Sequence, residues 1–254
     1  MTWTLLMEDE PHPGWHNMAL DEALLDLASH RGRGFLRCYR WRPGCISFGR
    51  HEPALRRYDR ARIAAHGLDT VRRPTGGRAV WHDRELTYAV AAPQSAFGSL
   101  PVAYRAIHDT IRRALCSLGA AATLAPAPAR TPGVGSGACF SQPVGGEVVV
   151  AGRKIVGSAQ LRRTGAFLQH GSVLLEGDQS VIGRVTRGPA PPGADACLGA
   201  VLGRPVPWHE VAEALAHEAR EWGGPWRTAG PEELAPIATR HEVRYRSDDW
   251  TWRR

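Results

Sequence analysis

The spacing of apolar and polar positions changes along this chain, and the changes set a strand-rich middle between helical segments. Thr2 to Met7 alternates weakly and predicts a first strand, and Asn17 to Leu25 repeats at helical spacing, predicting an amphipathic helix. Leu36 to Trp41 and Ile46 to Phe48 are strand segments joined by a tight turn at Pro43-Gly44. Asp59 to His66 is a short helix closed by Gly67. Asp69 to Arg72 is a strand leading into the loop Arg73-Pro74-Thr75-Gly76-Gly77-Arg78. Ala79 to Trp81 and Leu86 to Ala91 alternate as half-buried strands do, and a hairpin across His82-Asp83 is expected. Ala106, Ile107, Ile111, Ala114 and Leu115 make the apolar stripe of a helix from Val102 to Leu118, closed by Gly119. Glu147 to Ala151 and Lys154 to Val156 flank Gly152-Arg153 as a hairpin, and Phe167 to Leu175 continues as strand. Helices at Trp208 to Trp222 and Pro231 to Thr239 follow.

This order predicts an α+β (α/β) fold, a mixed β-sheet core with flanking helices. We expect one domain over 1–254, its motifs within about 15–175 and a helical portion from about 205 to 254. No stretch reaches the roughly 18 uninterrupted apolar residues of a membrane span. Met1 to Thr4 lacks a charged segment followed by an apolar run, so a cytoplasmic protein without a membrane partner is expected. The five cysteines are odd in number and lack C-x-x-C or zinc-finger spacing, which implies reduced thiols and no metal. The formal net charge is +7. Its basic residues are scattered among acidic ones without a helix-turn-helix or aromatic stacking motif, so a solvated arginine-rich surface is preferred over nucleic-acid binding. A basic face that steers an acidic protein partner is the second account.

Lys154 is the one lysine among 32 Lys plus Arg. Guanidinium is planar and always protonated, whereas an ammonium is compact and its pKa shifts, so a lone lysine among arginines marks a position with a special demand. It stands in Gly152-Arg-Lys-Ile-Val-Gly-Ser-Ala-Gln160, beside a small-residue segment where a carbonyl would meet both ammonium and backbone, and His170-Gly171-Ser172 follows. In Arg72 to Asp83, the adjacent Gly76 and Gly77 permit close backbone approach, with Arg73, Arg78 and His82 nearby, which suggests a ligand-binding loop. Gly137-Ala138-Cys139-Phe140 ends a small-residue loop and is poorly placed for core packing. Cys38 and Cys116, by contrast, read as small buried hydrophobes. A nucleophilic thiolate needs a cation nearby, and Lys154 is the available one.

Taken together, Arg72 to Asp83, Gly152 to Gln160 and Gln169-His-Gly-Ser172, with Asn17 to Glu22, Leu36 to Trp41 and Ser47-Phe-Gly49, resemble the signature blocks of the biotin/lipoate protein ligase superfamily. Three branches compete. Lipoate ligases usually carry three glycines in the loop and Gly-Asn after His-Asp; here Arg78 takes the third position and Arg84-Glu85-Leu86-Thr87 follows His82-Asp83. That pattern, with Ala138-Cys139-Phe140, is similar to octanoyltransferases of the LipM type. Many ligases continue past a Trp-x-Trp element, whereas this sequence ends at Trp250-Thr-Trp-Arg-Arg254.

The resemblance implies the superfamily's catalytic-domain fold and octanoyl transfer in lipoate biosynthesis. Cys139 would accept the acyl group as a thioester and Lys154 would lower its pKa and hold the acyl carbonyl. Octanoyl-acyl carrier protein would be the donor and a lipoyl domain, such as the glycine cleavage H protein or an E2 subunit, the acceptor. No cofactor is implied beyond the phosphopantetheine on the donor. Gly76, Gly77, Ala79, Gly157, Ser158, Ala159 and Gly171 would wall the acyl site, with His82 and His170 supporting it. Arg73 and Arg78 would hold the loop or meet a phosphate. An octanoyl-H-protein amidotransferase and an ATP-dependent lipoate ligase remain alternatives, as does a non-catalytic module binding carrier proteins or nucleic acid. A monomer is expected, although the superfamily contains monomers and dimers.

Overall fold

The structure is a computed structural model that describes residues 1–126, 145–188 and 196–253. Among these residues the strands are β1 (Trp3–Met7), β2 (Gly34–Tyr39), β3 (Cys45–Phe48), β4 (Asp69–Arg72), β5 (Val80–His82) and β6 (Glu85–Pro93). They continue with β7 (Ala122–Leu124), β8 (Val148–Val150), β9 (Arg153–Lys154), β10 (Val156–Arg163), β11 (Ala166–Leu174) and β12 (Trp226–Thr228). The main sheet runs β10-β11-β6-β2-β1-β12 and is mixed: its first four strands pair antiparallel, while β1 pairs parallel with β2 and with β12. This is the expected α+β architecture.

Period-2 alternation on the central strands sends side chains to two buried faces. On β6, Leu86, Tyr88, Val90 and Ala92 join the cluster under helices Leu100–Ser117 and Trp208–Glu218, which contributes Ile107, Ile111 and Leu215. Ala89 and Ala91 join the opposite cluster with Met18, Leu20 and Leu24 of helix Gly14–Arg31. That helix is sandwiched between the sheet and helix Ala235–Tyr245, so it is buried on more than the single stripe an amphipathic pattern implies. Among the described residues no helix is long and apolar enough to cross a membrane.

The expected hairpin across His82-Asp83 does not form, and the tight turn at Pro43-Gly44 joins strands of different sheets. β3 follows the turn after β2 but pairs with β4 and β5 in a separate three-stranded sheet, and β5 and β6 likewise diverge into different sheets. The local alternation was read correctly, yet each strand's better apolar partner lies far along the chain. Ile46 and Phe48 pack on Tyr58, Ile63, Ile182 and Val185, whereas Phe35 and Leu36 bury in the large sheet. The hairpin at Gly152 does form, one residue earlier than expected, with Ala151 at φ 48° and Gly152 at φ 73°. Two consecutive left-handed residues match the twist of a two-residue hairpin, which is why a glycine serves there.

The strongest constraint in the core is ionic. Arg37 on β2 is fully buried and donates Nε and Nη2 to Glu8 at 2.8 and 2.7 Å, Nη1 to Asp21 at 2.8 Å, and Nη2 to the Asn17 side chain at 2.9 Å. Burial alone would lower its pKa. Glu8 first, then Asp21, outweigh that cost and raise its pKa above the usual guanidinium value. Buried Arg72 donates instead to main-chain carbonyls of Gly49, Glu52, Trp250, Thr251 and Arg253, which clamps the last described segment against β4. Removing one partner from a buried cluster leaves the other charges uncompensated, so Arg37→Ala should cost about 3–5 kcal/mol. Urea unfolding would read this as a lowered midpoint, and an unchanged midpoint would refute the assignment.

Candidate active site

A pocket with about 350 Å³ of open space, its mouth included, lies between the main sheet and the β4-β3-β5 sheet. Met18, Tyr39, Trp41 and Val80 give it an apolar floor, and Gly157, Ser158, Ala159 and Gly171 form its β10-β11 wall. A Cβ at Gly171 would run into the Gly157 carbonyl, the Ser158 hydroxyl and the Tyr88 ring, so glycine keeps the two strands and Tyr88 close at that point.

Two hydroxyl–imidazole–carboxylate chains frame the pocket. Ser47 Oγ accepts from Arg73 Nη1 at 3.0 Å, so its own proton goes to His82 Nε2 at 2.7 Å, and His82 Nδ1–H donates to Glu85 at 2.7 Å. Ser172 at 2.8 Å and Thr87 also donate to that Glu85 oxygen. Trp41 stacks on the His82 ring at 4.0 Å and donates its indole N–H to Thr87. In the second chain Thr75 Oγ1 donates to His170 Nε2 at 2.6 Å, and His170 Nδ1–H donates to Asp21 at 2.8 Å, the carboxylate that also pairs with Arg37. Burial holds His170 below the usual imidazole value against the pull of Asp21, so the neutral tautomer drawn here is the stable one. His82 therefore bonds side chains of three elements rather than the backbone of a hairpin, and His170 both lines and braces the pocket.

The glycine loop is arranged differently from its expected role. Arg73 spends its fork on the carbonyls of Ser47, Gly76 and Arg78, so it staples the loop. Gly49 has no room for a Cβ because the Gly77 carbonyl packs on it. Gly76, Gly77, Arg78 and Ala79 consequently do not line the described pocket, whereas Arg73, His82, Gly157, Ser158, Ala159, His170 and Gly171 do.

Lys154 lies outside the pocket lining, 2 % exposed, with Nζ 2.7 Å from Glu147. Beside it His108 Nδ1–H donates to the Gly146 carbonyl at 2.7 Å, which leaves Nε2 to accept the Ser158 hydroxyl at 2.8 Å. Tyr88 in turn donates to Ser158 at 2.6 Å and accepts from Gln169 at 2.9 Å. A polar path thus runs from the pocket wall at Ser158 to His108, next to Lys154. Ala125 N bonds the Glu147 carbonyl at 2.7 Å and Gly146 N bonds the Ala125 carbonyl at 2.8 Å. Ala125 and Gly146 are thus joined next to Glu147, the partner of Lys154. Cys139 lies in the stretch 127–144, outside the described residues. Among the described residues, no group of three or more His, Cys, Asp or Glu side chains converges as a metal site would need.

The model for the lipoyl protein ligase A/B catalytic domain matches residues 13–220. The chain belongs to that family. Over its whole length it is 37 % identical to a protein of Kyrpidia tusciae named octanoyltransferase LipM, covering 100 % of this chain and 99 % of the relative. A protein of the same name from Symbiobacterium thermophilum is 36 % identical over 99 % of this chain and 98 % of its own. Among solved structures, a lipoate-protein ligase A bound with ATP superposes with a TM-score of 0.82 at 23 % identity, covering 99 % of each chain, a likeness of fold.

Within this lipoyl protein ligase A/B catalytic domain, four cysteines can be placed. Burial pushes the thiols of Cys38, to about 12, and Cys45 well above the usual range, which makes both poor nucleophiles. Cys116 is exposed at the end of its helix, contrary to the buried role expected for it, and Cys197 is half-buried. Sequence reading missed Asp21, Glu85, Tyr88, His108 and Glu147. The helical spacing Ile107, Ile111, Leu115 does place His108 beside the apolar stripe, the one signal that pointed to it.

Burial, partly opposed by the Gly146 hydrogen bond and aided by Lys154, pushes His108 down to about 4. Below pH 6.5 the unfolded chain takes up a proton that the folded imidazole refuses. His108 therefore contributes stability that is present above about pH 6.5 and is lost as pH falls toward 4. From pH 7.5 to 5 this loss should be on the order of 2 kcal/mol. Urea titrations at the two pH values should show a smaller loss in His108→Gln than in wild type; equal losses would contradict the assignment.

Proposed function

We propose that this chain is an octanoyltransferase that carries the acyl group as a thioester on Cys139 and passes it to a lysine of a lipoyl domain. The observation that supports this most is that Ala125 and Gly146, the described residues on either side of the sequence containing Cys139, lie next to the buried Lys154–Glu147 pair, in a chain whose full-length relatives are named octanoyltransferases. In the first step the Cys139 thiolate attacks the octanoyl thioester of the carrier. The new C–S bond forms, the carrier's C–S bond breaks, and the pantetheine thiol leaves with a proton. In the second step the neutral amine of the acceptor lysine attacks the Cys139 thioester. An amide forms and the Cys139 thiolate leaves as the amine loses its proton. Splitting the transfer this way means that two protein substrates need not occupy the site together.

Lys154 is well suited to both steps. Its ammonium, held by Glu147, is a fixed positive charge close to the Ser158–His108 path, where it would stabilise a thiolate and the oxyanion of each tetrahedral intermediate. The pocket's Met18, Tyr39, Trp41 and Val80 surfaces suit an aliphatic chain, with the glycine wall letting it lie against backbone.

Intact-protein mass spectrometry after mixing with octanoyl-acyl carrier protein, without ATP, tests the route. The wild type should gain one octanoyl mass that hydroxylamine removes. Cys139→Ala should gain none, and Lys154→Met should slow acylation by about a hundredfold or more, the usual cost of losing an oxyanion-stabilising group. Labelling by an octanoylated H protein alone would make the enzyme an amidotransferase, and an absolute need for ATP and free acid would make it a ligase.

A further inference from the structure

The pocket's rim carries a surface that the acyl chemistry does not use. Gly49 packs against the Gly77 carbonyl and Arg50 N–H donates to the Thr75 carbonyl at 2.8 Å, so the chain leaves the glycine loop directly into two short helices, Ala54–Arg57 and Arg60–Ala65. Residues 50–66 contain five arginines against two carboxylates. Glu52 is turned inward, whereas half-buried Asp59 faces Arg187 at 3.6 Å. Glu52 is buried, accepting from Tyr58 at 2.6 Å and Gly49 N–H at 3.3 Å, and Asp59 caps the second helix through the N–H groups of Ala61 and Arg62. Exposed Asp248 pairs with Arg60 at 2.6 Å and Glu52 with Arg57 at 3.6 Å, so the remaining positive charge of this face is carried by Arg50, Arg56 and Arg62. Among the described residues Arg50, Arg56 and Arg62 make no ion pair. In their midst stands Leu55, 47 % exposed, a large apolar side chain on the same turn as Arg56 and Arg57.

An exposed leucine next to Arg56, on a face where Arg50 and Arg62 likewise make no ion pair among the described residues, suits a partner with an apolar contact inside an acidic surface. On the other side of Gly77, Arg78 holds Nη1 buried without a hydrogen-bond partner. An unpaired buried cationic donor is costly and calls for an anion. A phosphopantetheine arm carries such an anion into the site; the side chain of an acceptor lysine does not.

Resting on the octanoyl-transfer reading above, we propose that the arginine face around Leu55 is the docking surface for the acidic carrier protein that delivers the acyl donor. The protein charge steers encounter and the leucine fixes the pose, while the arm enters past the glycine loop.

The test compares two donors on the full chain, octanoyl-acyl carrier protein and the small thioester octanoyl-pantetheine, by the rate of Cys139 acylation. With Arg56→Glu and with Leu55→Asp, the KM for the carrier donor should rise about tenfold while kcat stays within about twofold, and the small thioester should be unaffected. Wild-type KM for the carrier should also climb with salt, more steeply than in Arg56→Glu. An unchanged carrier KM in both variants overturns the proposal, as does an equal loss with both donors. A defect confined to the later transfer onto a lipoyl domain also overturns it by assigning the face to the acceptor. If the carrier fails to acylate the wild type while octanoyl-pantetheine succeeds, the donor assignment itself fails. An effect limited to the variants bears on docking alone.

Discussion

Asp21 is the residue on which the site's geometry turns. One carboxylate oxygen is tied to Arg37, and the other accepts from Tyr39 and from His170. Because Arg37 is itself gripped by Glu8, this single buried cluster connects the end of β1, the helix Gly14–Arg31, β2 and β11, and reaches the glycine loop through His170 and Thr75. A buried charge cluster is not an efficient source of stability compared with apolar packing, but its directional bonds admit few alternative arrangements. Here they fix a helix, three strands and a loop around one pocket.

The same logic runs at the helix Gly14–Arg31 from its other side. Glu22 is pulled upward by burial, but hydrogen bonds from Tyr245 and Arg163, with Arg244 adding charge, leave its carboxyl below the ordinary range. The helix is thus buttoned to the sheet edge and to the last long helix. Arg72 does comparable work with backbone carbonyls. Arginine suits these places because its five donors satisfy several acceptors from a rigid plane, which a lysine does not match. The chain's single lysine sits where a compact ammonium meets Glu147, next to the Ser158–His108 path.

Around the pocket the functional groups divide by rigidity. The two imidazole chains are closed networks whose hydroxyls and carboxylates set each tautomer, so they hold the walls. The Ser158–His108–Gly146 path is oriented from the pocket toward the lysine and ends on a backbone carbonyl. His108 stays neutral at physiological pH for want of water around it, and beside it Lys154 Nζ donates to Glu147.

Much of this was legible in the residues alone. The apolar periods gave most strands and helices, since burial of a face leaves period 2 or 3.6 in the sequence whatever the partner is. Gly152 marked a hairpin turn, Gly76 and Gly77 a loop of close backbone approach, and the lone lysine a position with a special demand. Pairing was not legible: the turn between β2 and β3 looks like a hairpin, yet the strands separate because their apolar partners come from residues far along the chain. Nor were the charged partners visible. Asp21, Glu85, His108 and Glu147 look like ordinary helix or strand polar residues, and only tertiary packing removes their water and obliges each to find a hydrogen-bond partner. Sequence alone therefore determined the local periodicity and the small-residue and lysine positions, because these are constraints on single residues and their neighbours. The tertiary structure decided strand order, the loop's attachment through Arg73 and the two imidazole chains, because those depend on which distant groups lose solvent together.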